Sequence, residues 1–265
     1  VVRKVWFQTW IESQHRRDRA AFQVVTTKER IEFLLPSGAT LEYAAVDGRM
    51  IESSLNASRQ RLEVPLEPAD EPRTRVVELW YDSPYANGAF SMVRLQPVTI
   101  AGSTWSGRMY WSLASPSTEH LLLLPQDATP EMSWIRNRLF WYRTADLEQV
   151  DLERWIGASA QQELPESLNQ YLFSSFGKTG SLRCTLVSRS AILLLISGVA
   201  LAMGLLLIYI RMFRHPAVVF AGGLLLVSVV LSYPDLATLA CQASLLGIGL
   251  ILGALGLKWL ADWRQ

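Results

Sequence analysis

The chain has 265 residues, half of them hydrophobic, and its formal net charge is +1 at pH 7. A balance this close to neutral excludes the basic field typical of nucleic-acid-binding proteins, so we expect no nucleic-acid partner. Two cysteines exclude a disulfide-rich scaffold. Three widely spaced histidines give no pattern of metal ligands, so we expect no metal and no cofactor.

The first part of the chain has the patterns of β-strands. From Phe22 to Leu124, apolar residues alternate with polar ones between turn residues, as in Ile31, Phe33 and Leu35 before Pro36. Asp47-Gly48 is a strong hairpin signal, because both residues tolerate a positive φ. Seven or more short strands predict an all-β sandwich or jelly-roll-like domain over residues 1–128. The mixed-charge cluster at residues 16–19 predicts a solvated surface patch.

After Pro130 the spacing of apolar residues changes from two to the helical period. Residues 131–142, 146–156 and 165–173 are predicted as short helices, with Gly157 and Gly177 as stop signals. Residues 129–189 are therefore expected to form a short helical connector.

The tail, residues 190–265, is strongly apolar. Residues 191–210 contain no charge, and at about 1.5 Å per residue such a helix spans the hydrocarbon layer of about 30 Å. Residues 217–233 and 236–257 form two further apolar runs. The pattern predicts a three-helix transmembrane tail in the lipid bilayer, with a re-entrant hairpin over residues 217–257 left open as the alternative.

The cations flanking these runs predict an orientation. Arg211 and Arg214 would share one side with Lys258 and Arg264, whereas the loop at Pro234 has no cation. The positive-inside rule then places the C-terminus in the cytoplasm and residues 1–189 outside, as in an integral protein of a bacterial inner membrane. The chain opens at Val1 without a signal peptide, so we expect a longer precursor carrying the export signal; what precedes Val1 stays open.

Small residues recur at four-residue spacing in the apolar runs, namely Gly249 with Gly253 and Ala200 with Gly204. This spacing lets helix backbones approach closely. We expect these residues to pack helices within one chain, with a homodimer contact, and hence the oligomeric state, left open.

Several stretches carry a resemblance to a known group of proteins. They are LERWIGA from Leu152, NQYLFSSFG from Asn169, the run from Ser188 to Ile210, DRAAFQV from Asp18, and LPSGA with VDGR between Leu35 and Arg49. The chain resembles the C-terminal part of large, uncharacterised membrane-anchored envelope proteins of planctomycete-type bacteria. The resemblance implies a cell-envelope setting and brings no assigned activity or catalytic residue.

Tryptophan offers the candidate ligand site, since we identify no catalytic residue. Trp105 and Trp111 are in phase with Met109 and are predicted to lie in the core. Trp80 is out of phase with its apolar neighbours and is predicted to form an exposed aromatic platform. The residues that would accompany it are Tyr81, Asp82, Tyr85 and Asn87.

These features favour a membrane-anchored, non-catalytic binding or scaffolding module of the cell envelope. Its partner would be an envelope polysaccharide or another envelope protein. Two alternatives remain: part of a membrane-bound glycan hydrolase, and an accessory subunit of an export or transport complex.

Overall fold

The computed structural model describes residues 1–12, 15–52, 54–56, 60–85, 90–102, 106–125, 127–137, 140–158, 168–177 and 180–263. The chain divides into two compact units. The β unit comprises Val1–Ile135 and Tyr142–Leu186, and the helical unit comprises Arg136–Trp141 and Val187–Gln265.

The first strands are β1 (Val2–Ile11), β2 (Arg16–Thr26), β3 (Arg30–Leu34), β4 (Thr40–Val46), β5 (Arg49–Ile51), β6 (Ser54–Asn56), β7 (Arg61–Pro65), β8 (Arg73–Ser83) and β9 (Phe90–Leu95). The later strands are β10 (Thr99–Ile100), β11 (Ser106–Pro116), β12 (Glu119–Leu123), β13 (Thr129–Pro130), β14 (Met132–Asn137), β15 (Phe140–Ala145), β16 (Leu168–Gly177) and β17 (Leu182–Ser188). The helices are α1 (Gln149–Ile156), α2 (Arg189–Tyr209), the 3-10 helix Arg211–Arg214, α3 (Pro216–Ser232) and α4 (Pro234–Trp263).

The largest sheet has eight strands in the order β13-β16-β11-β1-β2-β8-β4-β5. β1 runs parallel to β11, and the other registered pairs of this sheet are antiparallel. Two smaller sheets have the orders β10-β3-β7-β6 and β12-β17-β9, and β14 pairs with β15. The β-rich class predicted from the sequence is confirmed.

One face of the large sheet, the inner face, packs on strands of the smaller sheets. Phe7, Phe22 and Leu79 point from it into a core shared with Phe33 and Leu62. The predicted burial of Trp111 is confirmed, since it also lies in this core; Trp105 falls outside the described residues. The Asp47-Gly48 hairpin is confirmed too, because both residues have positive φ between β4 and β5.

The opposite face of the large sheet, the outer face, has a second and smaller core. It consists of Trp6, Ala21, Tyr110, Leu152, Ile156 and Leu172. Leu152 and Ile156 belong to α1, so this single short helix covers part of the sheet. Strands buried on both faces read as near-continuous apolar runs, which blurs the two-residue period.

The predicted helical connector is wrong over most of its length. Residues 132–137 and 140–145 are the strands β14 and β15, and residues 168–173 begin β16, which pairs with β11. Of the three predicted helices, only α1 forms, within residues 146–156. In β16, Tyr171 and Phe173 enter the inner core while Leu172 enters the outer one. Because apolar residues lie on both faces of this strand, its sequence pattern cannot be distinguished from that of a buried helix.

The helical unit confirms an apolar helical tail. α2 and residues Pro234–Gly256 of α4 are long and apolar enough to cross a membrane, and only 11% of each apolar window is buried. α3 is apolar but shorter, at 17 residues, and has no buried residue. The side-chain hydroxyl of Ser188 caps α2 by accepting from the N–H of Ala191.

Candidate functional site

The predicted platform is not an exposed surface. Trp80 is only 3% exposed and Tyr81 only 1%, and the two point to opposite faces of β8, with Tyr81 in the inner core. Asp82 is exposed, Tyr85 is half-buried and Asn87 lies outside the described residues. The prediction that Trp80 forms an exposed platform is therefore wrong, because an out-of-phase residue is exposed only where nothing covers the second face of the sheet.

Trp80 lies in the middle of a stacked aromatic row on the outer face. Its ring stacks on Trp10 with centroids 5.4 Å apart and on Tyr43 with centroids 5.5 Å apart. The sheet order positions the row, since Trp80 pairs with Arg19 of β2 and Tyr43 of β4 in the strand register. Trp10 and Tyr43 are half-buried and form the ends of the row.

Beside this row lies a buried charge network centred on Arg19. Its guanidinium donates to Oε2 of Glu78 at 2.5 Å and to Oε1 of Glu153 at 2.6 Å, and Nη1 also donates to Gln8 Oε1 at 2.8 Å. Burial lowers the pKa of Arg19, but the bonds to Glu153 and Glu78 outweigh it and raise the pKa above its usual value. The predicted solvated patch at residues 16–19 is thus wrong, because Arg16, Asp18 and Arg19 are buried.

The rings of Trp6 and Trp80 flank the same guanidinium, with their centroids 5.1 and 5.3 Å from Cζ. A buried charge is tolerated when it is paired and hydrogen-bonded, and aromatic faces add further attraction for a cation. Arg19 is therefore fixed in position between two carboxylates, whose combined charge exceeds its own, and Oε1 of Glu78 is buried without a hydrogen-bond partner.

α1 is held over this network by polar as well as apolar contacts. Glu153 reaches Arg19, Lys4 Nζ donates to the carbonyl of Trp155 at 2.6 Å, and Gln23 donates to the carbonyl of Ile156 at 3.0 Å. The helix ends at Gly157, whose φ of 84° is a left-handed cap that favours glycine. These contacts fix α1 along the outer face.

A cleft opens between α1 and strands β1, β11 and β16. The cleft is shallow, with an accessible volume of about 20 Å³, which is room for about one water molecule. The residues that define it are Trp6, Gln8, Trp10, Ser112, Gln149 and Gln170. Among the described residues, none of those that line this cleft is charged. The sequence alone does not reveal the cleft, because β1, which supplies Trp6, Gln8 and Trp10, has no predicted strand.

A larger groove of about 420 Å³ lies elsewhere in the β unit, beside β3 and the end of β2. Its rim carries Lys28, Arg30, Glu32 and Glu63. Arg30 approaches Glu63 at 3.7 Å, and Glu32 is paired with Arg61 at 2.8 Å. Because these ion pairs are exposed, their side chains are weakly fixed, and the groove provides fewer oriented groups than the cleft.

The inner face has its own polar cluster around Asp18. The carboxylate accepts from Thr9 at 2.6 Å and from Ser83 at 2.9 Å, and it pairs with Arg16 at 2.9 Å. Burial raises the pKa of Asp18, and the charge of Arg16 opposes this shift. Both carboxylate oxygens are bonded within the protein, so this cluster is a structural unit rather than an open site.

The described residues contain no group of three or more His, Cys, Asp or Glu side chains able to hold a metal ion. Burial raises the pKa of the Cys184 thiol to about 12, which keeps it protonated and unreactive at neutral pH. Burial also raises the pKa of Glu119 above its usual value of 4.5.

The small residues predicted for helix packing lie in two different environments. A side chain at Gly204 would meet Ile251, and Gly247 lies against Ala200 and the carbonyl of Ser197, so these residues belong to the contact between α2 and α4. A side chain at Gly249 or Gly253 would meet nothing within 4 Å.

Comparison with known proteins yields only distant likenesses. No family model and no curated protein matches the chain. Among solved structures, an M1 zinc metallopeptidase from Deinococcus radiodurans is 12% identical and covers 70% of this chain at a TM-score of 0.40. Its E323A mutant bound to a Tyr-Ser-Ala substrate is also 12% identical and covers 70%, with a TM-score of 0.41. The chain spans 41% and 42% of those proteins.

Proposed function

We propose that the chain is a membrane-anchored binding module of the cell envelope. Its β unit lies outside the cytoplasm of a bacterial cell, and the apolar tail crosses the inner membrane three times. The observation that carries this proposal is that one chain combines a β unit, whose cleft is aromatic and uncharged over its described residues, with helices whose apolar side chains are exposed.

The direction of α2 relative to α4 supports three crossings. Ser197 lies against Gly247, and further along both helices Gly204 lies against Ile251. Because the residue numbers increase along both helices from the first contacting pair to the second, the two helices run in the same direction. The chain between them must therefore return to its starting side, and α3, about 25 Å long at 1.5 Å per residue, is the segment available for this return.

Charge supports the orientation. The segment between α2 and α3 carries Arg211 and Arg214, whereas the turn at Pro234 between α3 and α4 carries only Asp235. Cations are enriched on the cytoplasmic side of membrane helices. The Arg211–Arg214 segment and the C-terminus are accordingly assigned to the cytoplasm, and the β unit to the outer side.

Binding is favoured over catalysis because of what surrounds the cleft. Glycoside hydrolysis requires two carboxyl groups flanking one bond, and no carboxylate is found among the described residues that line this cleft. Glu78 and Glu153 lie nearby, but both are bonded to the buried guanidinium of Arg19.

Cysteine labelling of the full chain in cells tests the topology. Starting from a Cys184→Ala, Cys241→Ala background, single cysteines replace Met50, Met212 and Asp235, the first two being 73% and 69% exposed. We expect an impermeant maleimide to label positions 50 and 235 in intact spheroplasts, and position 212 only after permeabilisation. Labelling of positions 50 and 212 from the same side would refute the orientation, and a protected position 235 would refute the third crossing.

Proteoliposomes carrying the full chain test binding. They should co-sediment with isolated cell-envelope material, whereas protein-free liposomes of the same lipids should not. Equal sedimentation of the two would contradict the proposed binding role without bearing on the topology.

A further inference from the structure

We infer that the cleft beside α1 binds a neutral saccharide unit, with the ring of Trp10 as its apolar platform and carboxamide groups as its hydrogen-bonding partners. This inference rests on the proposed binding function and assigns to it a site and a ligand class.

The first support is the position of Trp10. One face of its ring is covered by Trp80, which lies nearly parallel at an angle of 7°, and the half-buried ring also lines the cleft. The stack holds the indole in one orientation, so little freedom is lost when a second flat surface packs on it. The C–H face of a pyranose ring is such a surface.

The polar groups of the cleft are the second support. Gln8 is fixed, because Arg19 donates to its carbonyl oxygen, and this leaves the NH₂ group of the same amide as a donor. Ser112 accepts from the indole N–H of Trp6 at 3.0 Å, so its own hydroxyl hydrogen remains free to donate. Gln170 is exposed at the rim and offers both a donor and an acceptor. Hydroxyl groups, which donate and accept, match such a set.

Charge argues against an ionic ligand. Arg19, which contacts Gln8 of the cleft, is a buried cation, and its guanidinium is already shared by Glu78, Glu153 and Gln8. Among the described lining residues, an anion would find no positive charge and a cation no carboxylate. An uncharged ligand avoids the cost of losing water from an unpaired charge.

Size places the ring at the mouth of the cleft. The cleft has an accessible volume of about 20 Å³, which accommodates roughly one water molecule and no sugar ring. One ring of a longer chain would therefore pack on the half-buried Trp10 beside Gln170, and the polar groups of Gln8 and Ser112 would reach it through a water in the cleft.

Titration of the full chain in lipid nanodiscs tests the inference, without alkyl-glycoside detergents, which would compete for the cleft. The probes are cellotetraose and tetra-N-acetylchitotetraose as neutral saccharides, tetragalacturonate as an anionic one, and tetra-alanine as a peptide. Binding is followed by calorimetry and tryptophan fluorescence. We expect at least one neutral saccharide to bind at least about tenfold more tightly than the anion and the peptide.

Variants locate the site. Trp10→Ala should weaken binding by about tenfold or more, and Gln170→Ala by about threefold to tenfold, because each removes one contact of the cleft. Since Gln170 is exposed, its replacement leaves the fold intact even if Trp10→Ala perturbs the aromatic row. Phe176→Ala is the matched control, since Phe176 is 72% exposed and lies outside the cleft; its affinity should equal that of the parent.

Three outcomes would overturn the inference: no binding of any neutral saccharide, binding that survives both cleft variants, or stronger binding of the peptide or the anion. Each of these would leave the proposed envelope module standing, because topology and co-sedimentation are measured independently of the saccharides.

Discussion

The two units of this chain each contain side chains in environments that are costly in water: the β unit buries charged side chains, and the helical unit exposes apolar ones. The β unit buries charged side chains such as Arg19 and Asp18 and pairs them with charged or hydrogen-bonding partners. In contrast, α2 and α3 leave apolar side chains such as Leu194 and Phe220 exposed. The first solution is specific to one arrangement of strands, since every buried charge requires its partner. The second depends on composition alone, because exposed leucines suit a lipid solvent whichever way each side chain points.

The sharpest test of the buried charge network in the β unit removes its central cation. Arg19→Met leaves Glu78 and Glu153 as buried carboxylates without their partner, so we expect a loss of about 3–5 kcal/mol in the free energy of unfolding. The measurement is thermal unfolding of the full chain in nanodiscs, followed by tryptophan fluorescence and near-UV circular dichroism.

Arg17→Met is the matched control, because the Arg17 side chain is 45% exposed and its ion pairs with Glu42 and Asp82 are screened by water. It should cost no more than about 1 kcal/mol. Replacing Arg19, Glu78 and Glu153 together with apolar residues should recover most of the loss. Equal effects of the Arg17 and Arg19 substitutions would show that the network contributes nothing.

In the helical unit, replacing a glycine should reduce stability only where the backbones of two helices are in contact. Gly247→Leu forces a side chain against Ser197 and Ala200, and we expect a loss of about 1–3 kcal/mol. The measurement is unfolding by titration with sodium dodecyl sulfate.

Gly249→Leu is its matched control, since a side chain there meets nothing within 4 Å. It should change stability by less than about 0.5 kcal/mol. If both substitutions cost the same, Gly247 does not mark the contact between α2 and α4, and the argument that these helices run in the same direction fails.

The smallest expected effect is a pH dependence in the β unit. Burial raises the pKa of Glu119 above 4.5, so the folded chain binds this proton more tightly than the unfolded chain does. Its contribution is fully present below pH 4.5 and is lost as the pH rises through the raised pKa. Glu119→Gln removes this titration.

The difference in melting temperature between the parent and Glu119→Gln should therefore change across that window and stay constant at higher pH. Glu67→Gln serves as a control, because the Glu67 side chain is 76% exposed. A difference that is flat from pH 4 to pH 8 would contradict a raised pKa at Glu119.

Local sequence determined several features directly. The uncharged run after Ser188 identifies α2, because a helix without a polar stripe has no face to turn to water. The Asp47-Gly48 pair identifies the β4–β5 hairpin, because its backbone requires two positive φ values. Both signals arise from neighbouring residues and need no knowledge of distant contacts.

Only the tertiary structure decided which faces of the strands are covered. Trp80 is buried because Trp10, Tyr43 and Arg19 approach from other strands, and β16 is a strand because β11 lies beside it. The cleft likewise requires α1, more than 100 residues along the chain from Trp10, to lie on the outer face. The physical reason is the same in each case: burial depends on neighbours that are remote in sequence, and a periodic pattern records which face a residue occupies, not whether another element covers that face.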